Sequence, residues 1–318
     1  MTLREAAERR DILIGTAVNV DVLKHNETYR NILQEEFNEI TPENCMKMSF
    51  TQPNRGNFDF ADADALVEFA EQNRMKVRGH TLAWHLQQPN WFTKINFSRE
   101  EMSELLHNHV RVEAEHYRGK IYAWDVLNEA VLGDGSLRQN NYLNAMGQEY
   151  IEKIFRWAHE ADNTARLFYN DYGCESINAK SDAIYNLLKR LLDRDVPLHG
   201  IGFQMHLNQI PNYPSIEKNM KRFSELGLEI HITEMDFQVY KIIGTNDQKL
   251  SKQADVYRRI MRMCLENPRC KAFVVWGISD CNYWMPEYNR HLDAPLLFDT
   301  NYKPKPAYYA LLEELKKD

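Results

Sequence analysis

The chain has 318 residues, 43% of them hydrophobic, which is enough to bury the core of one large α/β barrel or of two ordinary domains. Its formal net charge of −7, with no basic stripe, argues against a nucleic-acid partner, because that role needs concentrated Lys and Arg. No run approaches the roughly 18 apolar residues that cross a membrane. Residues 1–15 interleave charges and lack the apolar core of a signal peptide, so we expect a cytoplasmic protein, or a secreted one if an export signal has been removed.

The cysteines are odd in number and contain no CxxC spacing, which argues against a cysteine metal site and favours a reduced compartment. Cys264 and Cys270 are close enough in sequence to pair if the protein is secreted. The five are Cys45, Cys174, Cys264, Cys270 and Cys281.

Eight short apolar runs alternate with stretches of helical spacing, in which apolar residues recur at intervals of three and four. The predicted strands are 12–18, 44–48, 76–82, 121–127, 166–170, 200–205, 228–233 and 271–276. The predicted helices are 28–37, 60–73, 98–118, 147–162, 178–194, 214–226, 247–266 and a closing helix over 304–316 with Pro304 and Pro306 in its first turn.

This alternation predicts a single (β/α)₈ TIM barrel, with its active site at the carboxyl ends of the strands. A doubly wound open sheet would also alternate, but no glycine-rich phosphate loop follows the first strand. No linker or low-complexity segment divides the chain. We therefore expect one domain over residues 1–318 and no second module.

Two of the predicted strands end in a carboxylate. The run 121–127 leads into Asn128 and Glu129, and the run 228–233 leads into Glu234. Two carboxylates at the ends of separate strands suit glycoside cleavage, because one must hold a proton while the other stays ionised. Either carboxylate alone would be interpreted as a solvated surface charge.

Other strand ends carry aromatic and polar side chains that suit a carbohydrate, since Trp faces stack on sugar rings and polar groups bind hydroxyls. Any single Trp could instead pack in the hydrophobic core and have no role in sugar binding. These residues are His80, Trp84, His85 and Gln87 after the third strand, Gln204 and His206 after the sixth, and Trp276 and Trp284 after the eighth.

The histidines do not predict a metal site. His107 and His109 are two apart on a predicted helix and so face different sides. No His-x-His ends the first strand, and His231 lies on the opposite face of its strand from Glu234. We therefore expect no metal and no other cofactor.

Eight segments between residues 12 and 312 together resemble glycoside hydrolase family 10, the retaining endo-β-1,4-xylanases. The segments are TPENCMKM at 41–48, GHTLAWHLQQPNWF at 79–92, WDVLNEA at 124–130, NDY at 170–172, GIGFQMHL at 200–207, ITEMD at 232–236, VVWG at 274–277 and PLLFDTNYKPKPAYYAL at 295–311.

The resemblance implies that Glu129 is the general acid/base and Glu234 the nucleophile of a double displacement, with their carboxyl groups about 5–5.5 Å apart. It implies that His206 and Asp236 orient the nucleophile and keep it ionised. It also implies that Asn128 binds the 2-hydroxyl of the sugar.

The resemblance further implies a substrate of xylan or xylo-oligosaccharide. Lys47, His80, Trp84 and Trp276 would enclose the sugar at the cleavage point, with Trp284 closing over it. Glu43, Asn44 and Gln87 would hold the next xylose toward the non-reducing end, and Gln204 would lie beside the acid/base. Met48 and Met205 depart from the family pattern, and we interpret both as repacking. The alternatives are a retaining cellulase or mannanase of the same barrel form, or a catalytically silent sugar-binding barrel.

Overall fold

The computed structural model describes residues 1–285 and 293–317. Its nine strands are β1 (Leu13–Val18), β2 (Glu39–Pro42), β3 (Lys76–Ala83), β4 (Ile121–Asn128), β5 (Arg166–Asp171), β6 (Gly200–Phe203), β7 (His206–Leu207), β8 (Glu229–Phe237) and β9 (Cys270–Val275). Eight of them form a parallel ring in the order β1-β2-β3-β4-β5-β6-β8-β9, which closes between β9 and β1. The short β7 pairs with the far end of β8. The predicted (β/α)₈ TIM barrel is therefore confirmed.

Helices connect the strands and cover the outside of the ring. Those described are α1 (Leu3–Arg9), α2 (Val20–His25), α3 (Glu27–Glu36), α4 (Met48–Thr51), α5 (Ala61–Gln72), α6 (Asn90–Thr93), α7 (Arg99–His116), α8 (Asn141–Met146), α9 (Glu149–Ala161), α10 (Ala179–Leu192), α11 (Tyr213–Glu225), α12 (Asn246–Glu266) and α13 (Pro306–Leu315). Within the described ranges, none of these helices is both long enough and apolar enough to cross a membrane.

Local sequence explains where the long helices begin. At the start of α7, Ser98 accepts a hydrogen bond from the Glu101 amide, and the Glu101 carboxylate accepts one from the Ser98 amide at 2.9 Å. Thr245 and Gln248 form the same reciprocal pair at the start of α12. Such caps satisfy amides that have no partner within the helix, and each contributes about 1 kcal/mol.

The second predicted strand was wrong. The strand is Glu39–Pro42, and residues 44–48 form the loop and the first residue of α4. The sequence misled because β2 carries a charged side chain into the barrel interior, where Glu39 is 0% exposed. Burial raises the pKa of the Glu39 carboxyl to about 7, although the positive charge of Arg78 opposes the shift.

Most other boundaries differ from the predictions by one or two residues, and three of the differences bear on the site or on the closing helix. The last helix begins at Pro306, so Pro304 lies before it and not in its first turn. Strand β6 ends at Phe203, which leaves Gln204 in the following turn, whereas β8 continues past its predicted end to Phe237.

The barrel interior holds a buried charged cluster below the carboxyl ends of the strands. The guanidinium of Arg78 donates to Asp125 at 3.1 Å and lies 2.9 Å from Nδ1 of His231. His80 lies 2.9 Å from the same Asp125 carboxylate. His231 is thus a buried interior residue. Buried charges need such partners, because an unpaired one would be costly away from water.

Cys264 and Cys270 form a disulfide that joins the end of α12 to the first residue of β9. The expectation of reduced cysteines is therefore wrong for this pair. A disulfide is typical of proteins from an oxidising compartment. The remaining three cysteines, Cys45, Cys174 and Cys281, are free.

Candidate active site

A cleft of about 670 Å³ opens at the carboxyl ends of the strands. Besides His85, its lining includes the fourteen side chains to which the sequence analysis assigned a role in catalysis or substrate binding. They are Glu43, Asn44, Lys47, His80, Trp84, Gln87, Asn128, Glu129, Gln204, His206, Glu234, Asp236, Trp276 and Trp284. The roles assigned to them stay predictions.

Glu129 follows the last residue of β4 and adopts a left-handed backbone with φ of 58°. That conformation costs a non-glycine residue about 1–2 kcal/mol, so the surroundings must hold it. Its amide donates to the Asn170 carbonyl at 2.9 Å, and its carbonyl accepts from Nε of Arg138 at 2.8 Å. Trp84 donates to one carboxylate oxygen at 2.8 Å, and Gln204 donates to the other at 3.1 Å. Both oxygens are thereby oriented within the cleft.

Glu234 lies within β8 and is 5% exposed. Asn170 donates to its Oε1 at 2.7 Å, and Nε2 of His206 lies 3.1 Å from its Oε2. Burial raises the pKa of the Glu234 carboxyl. The hydrogen bond from His206 and the attraction of His80 and His206 lower the pKa by a larger amount. The net pKa of Glu234 is below its ordinary value, so the group is held ionised.

His206 connects Glu234 to a second carboxylate. Its Nδ1 lies 2.8 Å from Oδ2 of Asp236, which also accepts from Tyr283 at 3.2 Å and Trp284 at 3.1 Å. Burial lowers the pKa of His206, but the charge and hydrogen bond of Asp236 outweigh it and the net pKa lies well above the ordinary value. A protonated imidazole donates from both nitrogens, so His206 can serve both carboxylates at once.

An amide network joins the surroundings of Glu129 to those of Glu234. The Asn170 side chain donates to Asn128 at 2.8 Å as well as to Glu234. Thr233 donates to the Asn170 oxygen at 2.7 Å and so fixes which end of the amide faces the carboxylate. Gln204 contacts Asn128 at 3.3 Å. The positions of the two carboxylates are therefore set by shared partners.

Lys47 organises the part of the cleft that follows β2. It donates to Gln87 at 2.7 Å and to Asn44 at 3.2 Å, and Asn44 in turn donates to Glu43 at 3.0 Å. Its ammonium lies 4.8 Å from the ring centre of Trp84. Burial lowers the pKa of Lys47, against the attraction of the nearby carboxylates. The group offers a sugar several hydrogen-bonding atoms that are already fixed in place.

Aromatic side chains form the wall on the side of the last strand. Trp276 is 6% exposed, and its ring centre lies 5.3 Å from that of His80. Trp284 is 46% exposed, and its ring centre lies 5.3 Å from that of His206. An exposed indole anchored by one hydrogen bond can pack on a sugar ring.

Several residues that line the cleft were missed by the sequence reasoning. Tyr172 follows β5 and could have been found by the strand-end rule, because the quoted segment NDY ends on it. Arg138, which donates to the Tyr172 hydroxyl at 3.1 Å, lies in a loop without a recognisable pattern. The others outside the predicted set are Leu86, Asn208, Gln238, Tyr283 and Met285.

Within residues 1–285 and 293–317, no group of three or more His, Cys, Asp or Glu side chains could hold a metal ion. His107 is partly exposed and His109 is fully buried, in keeping with their different faces on α7. His109 lies 3.1 Å from the side chain of Gln52.

Comparisons of the sequence and of the structure with known proteins point to the same family. The model of glycosyl hydrolase family 10 matches residues 2–314. The chain is 45% identical to endo-1,4-beta-xylanase B of Thermotoga neapolitana over 318 residues, 99% of this chain and 92% of that protein. Native xylanase 10B from Thermotoga maritima superposes with a TM-score of 0.96 at 45% identity, covering 99% of this chain and 98% of that one.

A second solved structure is xylanase 10B from Thermotoga petrophila RKU-1 in complex with xylobiose. It also has a TM-score of 0.96 at 45% identity, and the match covers 99% of this chain and 97% of that one. One family model spans nearly the whole chain, and these three Thermotoga proteins are matched over nearly their whole length. The chain therefore belongs to glycosyl hydrolase family 10, a family of retaining glycoside hydrolases.

Proposed function

We propose that the chain is a retaining endo-β-1,4-xylanase in which Glu234 is the nucleophile and Glu129 the general acid/base. The observation that carries the assignment is the difference between the two carboxylates. Glu234 is buried and held ionised by His206, whereas Glu129 accepts hydrogen bonds from the neutral groups of Trp84 and Gln204. Such a difference in environment is what lets one carboxyl attack while the other transfers a proton.

In the first step, Glu234 attacks the anomeric carbon while Glu129 gives its proton to the leaving glycosidic oxygen, which forms a covalent glycosyl-enzyme. In the second step, Glu129 removes a proton from water, and the water attacks the same carbon and releases Glu234. Asn128 binds the 2-hydroxyl, a contact that strengthens in the transition state. His206 and Asp236 keep Glu234 charged until it attacks.

The substrate is xylan or a xylo-oligosaccharide, with no cofactor. Support comes from the relatives, which are endo-1,4-β-xylanases, one of them solved with xylobiose. Lys47, His80, Trp84 and Trp276 enclose the sugar at the cleavage point and Trp284 closes over it. Glu43, Asn44 and Gln87 hold the preceding xylose. The aromatic wall favours xylose over glucose by sterics, a preference of about 1–3 kcal/mol.

Replacement of the two carboxylates tests the roles. Glu234→Ala should abolish turnover of every substrate. Glu129→Ala should slow glycosylation of xylotetraose by about 10²- to 10⁴-fold, because it removes proton donation, but should spare aryl β-xylobiosides whose phenol leaves without a proton. The pre-steady-state release of nitrophenol from a nitrophenyl β-xylobioside by the Glu129→Ala enzyme measures the first step directly. The exposed Glu217→Ala on α11 is the matched control and should behave as the wild type.

The assignment fails if Glu129→Ala loses the glycosylation step equally on activated and unactivated substrates. Parallel digestion of xylotetraose, soluble xylan and cellotetraose separates a xylanase from a cellulase. If cellotetraose were cleaved as fast as xylotetraose or faster, the assignment of xylan as the substrate would be wrong. Absence of any cleavage would support a silent sugar-binding barrel instead.

A further inference from the structure

A single turn carries one hydrogen-bonding partner of Glu129 and one of Glu234. Gln204, which donates to Glu129, and His206, which contacts Glu234, flank Met205 between β6 and β7. Met205 is fully buried and has a left-handed backbone with φ of 60°. A rotation of the backbone at this one residue would therefore displace one partner of each carboxylate at the same time.

A non-glycine residue keeps a left-handed backbone only where neighbouring groups hold it. The main-chain hydrogen bonds on either side tie the turn to β8, since the Glu234 amide donates to the Gln204 carbonyl at 3.1 Å and the Asp236 amide donates to the Met205 carbonyl at 3.3 Å. The amide of Met205 donates instead to the Glu175 side chain, at 3.0 Å.

Glu175 lies in the loop after β5 and is 7% exposed. The oxygen that accepts from Met205 also accepts from the Gly173 amide at 3.2 Å. Its own main chain is fixed from behind, because the buried Asn219 of α11 donates to the Glu175 carbonyl at 2.9 Å and to the Cys174 carbonyl at 2.7 Å. The acceptor is thus held rigidly beneath the turn, and Glu175 is not among the residues that line the cleft.

We propose that Glu175 is a positioning residue for catalysis: it holds the left-handed turn at Met205 and so aims Gln204 and His206 at the two carboxylates. The inference rests on the proposed function of Glu129 and Glu234. Without an oxygen acceptor at this point, the Met205 amide would be buried without a partner, and the turn would relax toward a conformation that rotates both flanking side chains.

The test compares Glu175→Met with Glu175→Gln. Methionine keeps much of the volume but has no oxygen acceptor, whereas glutamine retains an oxygen that both amides can reach. We expect Glu175→Met to lower kcat on xylotetraose by about 10- to 100-fold with KM nearly unchanged, because it misplaces reacting groups and leaves the sugar contacts in place. Glu175→Gln should restore most of kcat. Glu113→Met removes a buried carboxylate of α7 that lies outside the cleft lining; it is the matched control and should keep the wild-type kcat.

Two further readouts separate positioning from simple stability. Aryl β-xylobiosides with good leaving groups should lose rate as well, since His206 serves the nucleophile. In a His206→Ala background, Glu175→Met should cost less than it does in the wild type, because partners acting through one another are not additive. All rates are measured well below the unfolding temperature of each variant.

A wild-type kcat for folded Glu175→Met, or full additivity with His206→Ala, overturns the inference. If Glu175→Met does not fold, Asn219→Ala decides: it releases the Glu175 main chain, a lowered kcat at constant KM supports the inference, and a wild-type kcat overturns it. A wild-type enzyme that cleaves no xylotetraose contradicts the proposed function itself, so the two failures are distinguishable.

Discussion

At the scale of single residues, the chemistry depends on how Glu234 is kept ionised. The carboxyl is buried, which by itself would favour the protonated form, and the contact with His206 reverses that preference. Asp236 keeps His206 protonated in turn. The proposed nucleophile is therefore charged because Asp236, His206 and Glu234 act in sequence, and its reactivity should depend on His206.

His206→Ala should move the acidic limb of the pH profile of kcat/KM. As the proposed nucleophile, Glu234 must be ionised to attack, and its pKa is lowered in the intact site. Removal of His206 takes away the larger opposition to burial, leaves the attraction of His80, and so raises that pKa. The acidic limb should shift to higher pH by about 1–2 units, since an adjacent opposite charge lowers a carboxyl pKa by roughly 1–3 units.

The measurement is kcat/KM for an aryl β-xylobioside across the acidic range, which reports the free enzyme. His85→Ala is the control, because His85 lies in the cleft against the ring of Trp84 and is not one of the hydrogen-bonding partners of Glu234. Its acidic limb should stay in place. An acidic limb that does not move in His206→Ala would show that this histidine does not set the ionisation of Glu234.

The sequence predicted individual site residues where the strand-end rule or a family segment applied, as for Glu129, Glu234 and Trp84. It could not predict Glu175, because an isolated Glu in a loop has no periodicity, and its function depends on which amides the fold brings to it. Arg138 was missed for the same reason, since its partners are the Glu129 carbonyl and the Tyr172 hydroxyl.

At the scale of secondary-structure elements, close packing between neighbouring strands places constraints that a residue list does not show. Gly79 in β3 lies against the indole of Trp124 in the adjacent β4. A Cβ atom added at Gly79 would stand 2.1 Å from a ring carbon of Trp124, which is 0% exposed. The two strands could accommodate it only by moving.

Gly79→Ala should therefore destabilise the fold by about 1–3 kcal/mol, the usual cost of overpacking, and more if the strands cannot part. Because Gly79 precedes His80, activity should also fall in the protein that remains folded. Gly119→Ala is a poor control, since Gly119 has φ of 78°, whereas Gly133→Ala adds a Cβ into open space at ordinary φ and should leave stability unchanged. Urea unfolding of the wild type, Gly79→Ala and Gly133→Ala measures the free energy of unfolding. A Gly79→Ala protein as stable as the wild type would contradict the packing argument.

Element prediction succeeded where helices were long and regular, as in 247–266 against the observed Asn246–Glu266. It failed at β2, because burial of a charged Glu39 among barrel partners hides the apolar pattern on which strand prediction depends. The two-residue β7 could not be predicted either, since its pairing with β8 arises from the turn at Met205 and not from its own residues.

At the scale of the whole molecule, the barrel is stable only as a closed ring. The closure pairs β1, near the start of the chain, with β9, near its end, through contacts such as Ile14 with Phe273. The Cys264–Cys270 disulfide links α12 to the first residue of β9, immediately beside this closure. It lies in the base of the barrel, at the opposite end of β9 from the Trp276 that lines the cleft.

Loss of the disulfide should therefore lower global stability without changing the chemistry. For a separation of 6 residues, the chain-entropy model gives a contribution of about 2 kcal/mol. The double variant Cys264→Ala and Cys270→Ala should show a Tm lower by a few degrees, and reductant should lower the Tm of the wild type by a similar amount. Reductant should leave the Tm of the double variant unchanged, and kcat and KM on xylotetraose should match the wild type. A large loss of kcat in the folded double variant would mean instead that a change in the pairing of β1 with β9 alters the geometry of the cleft.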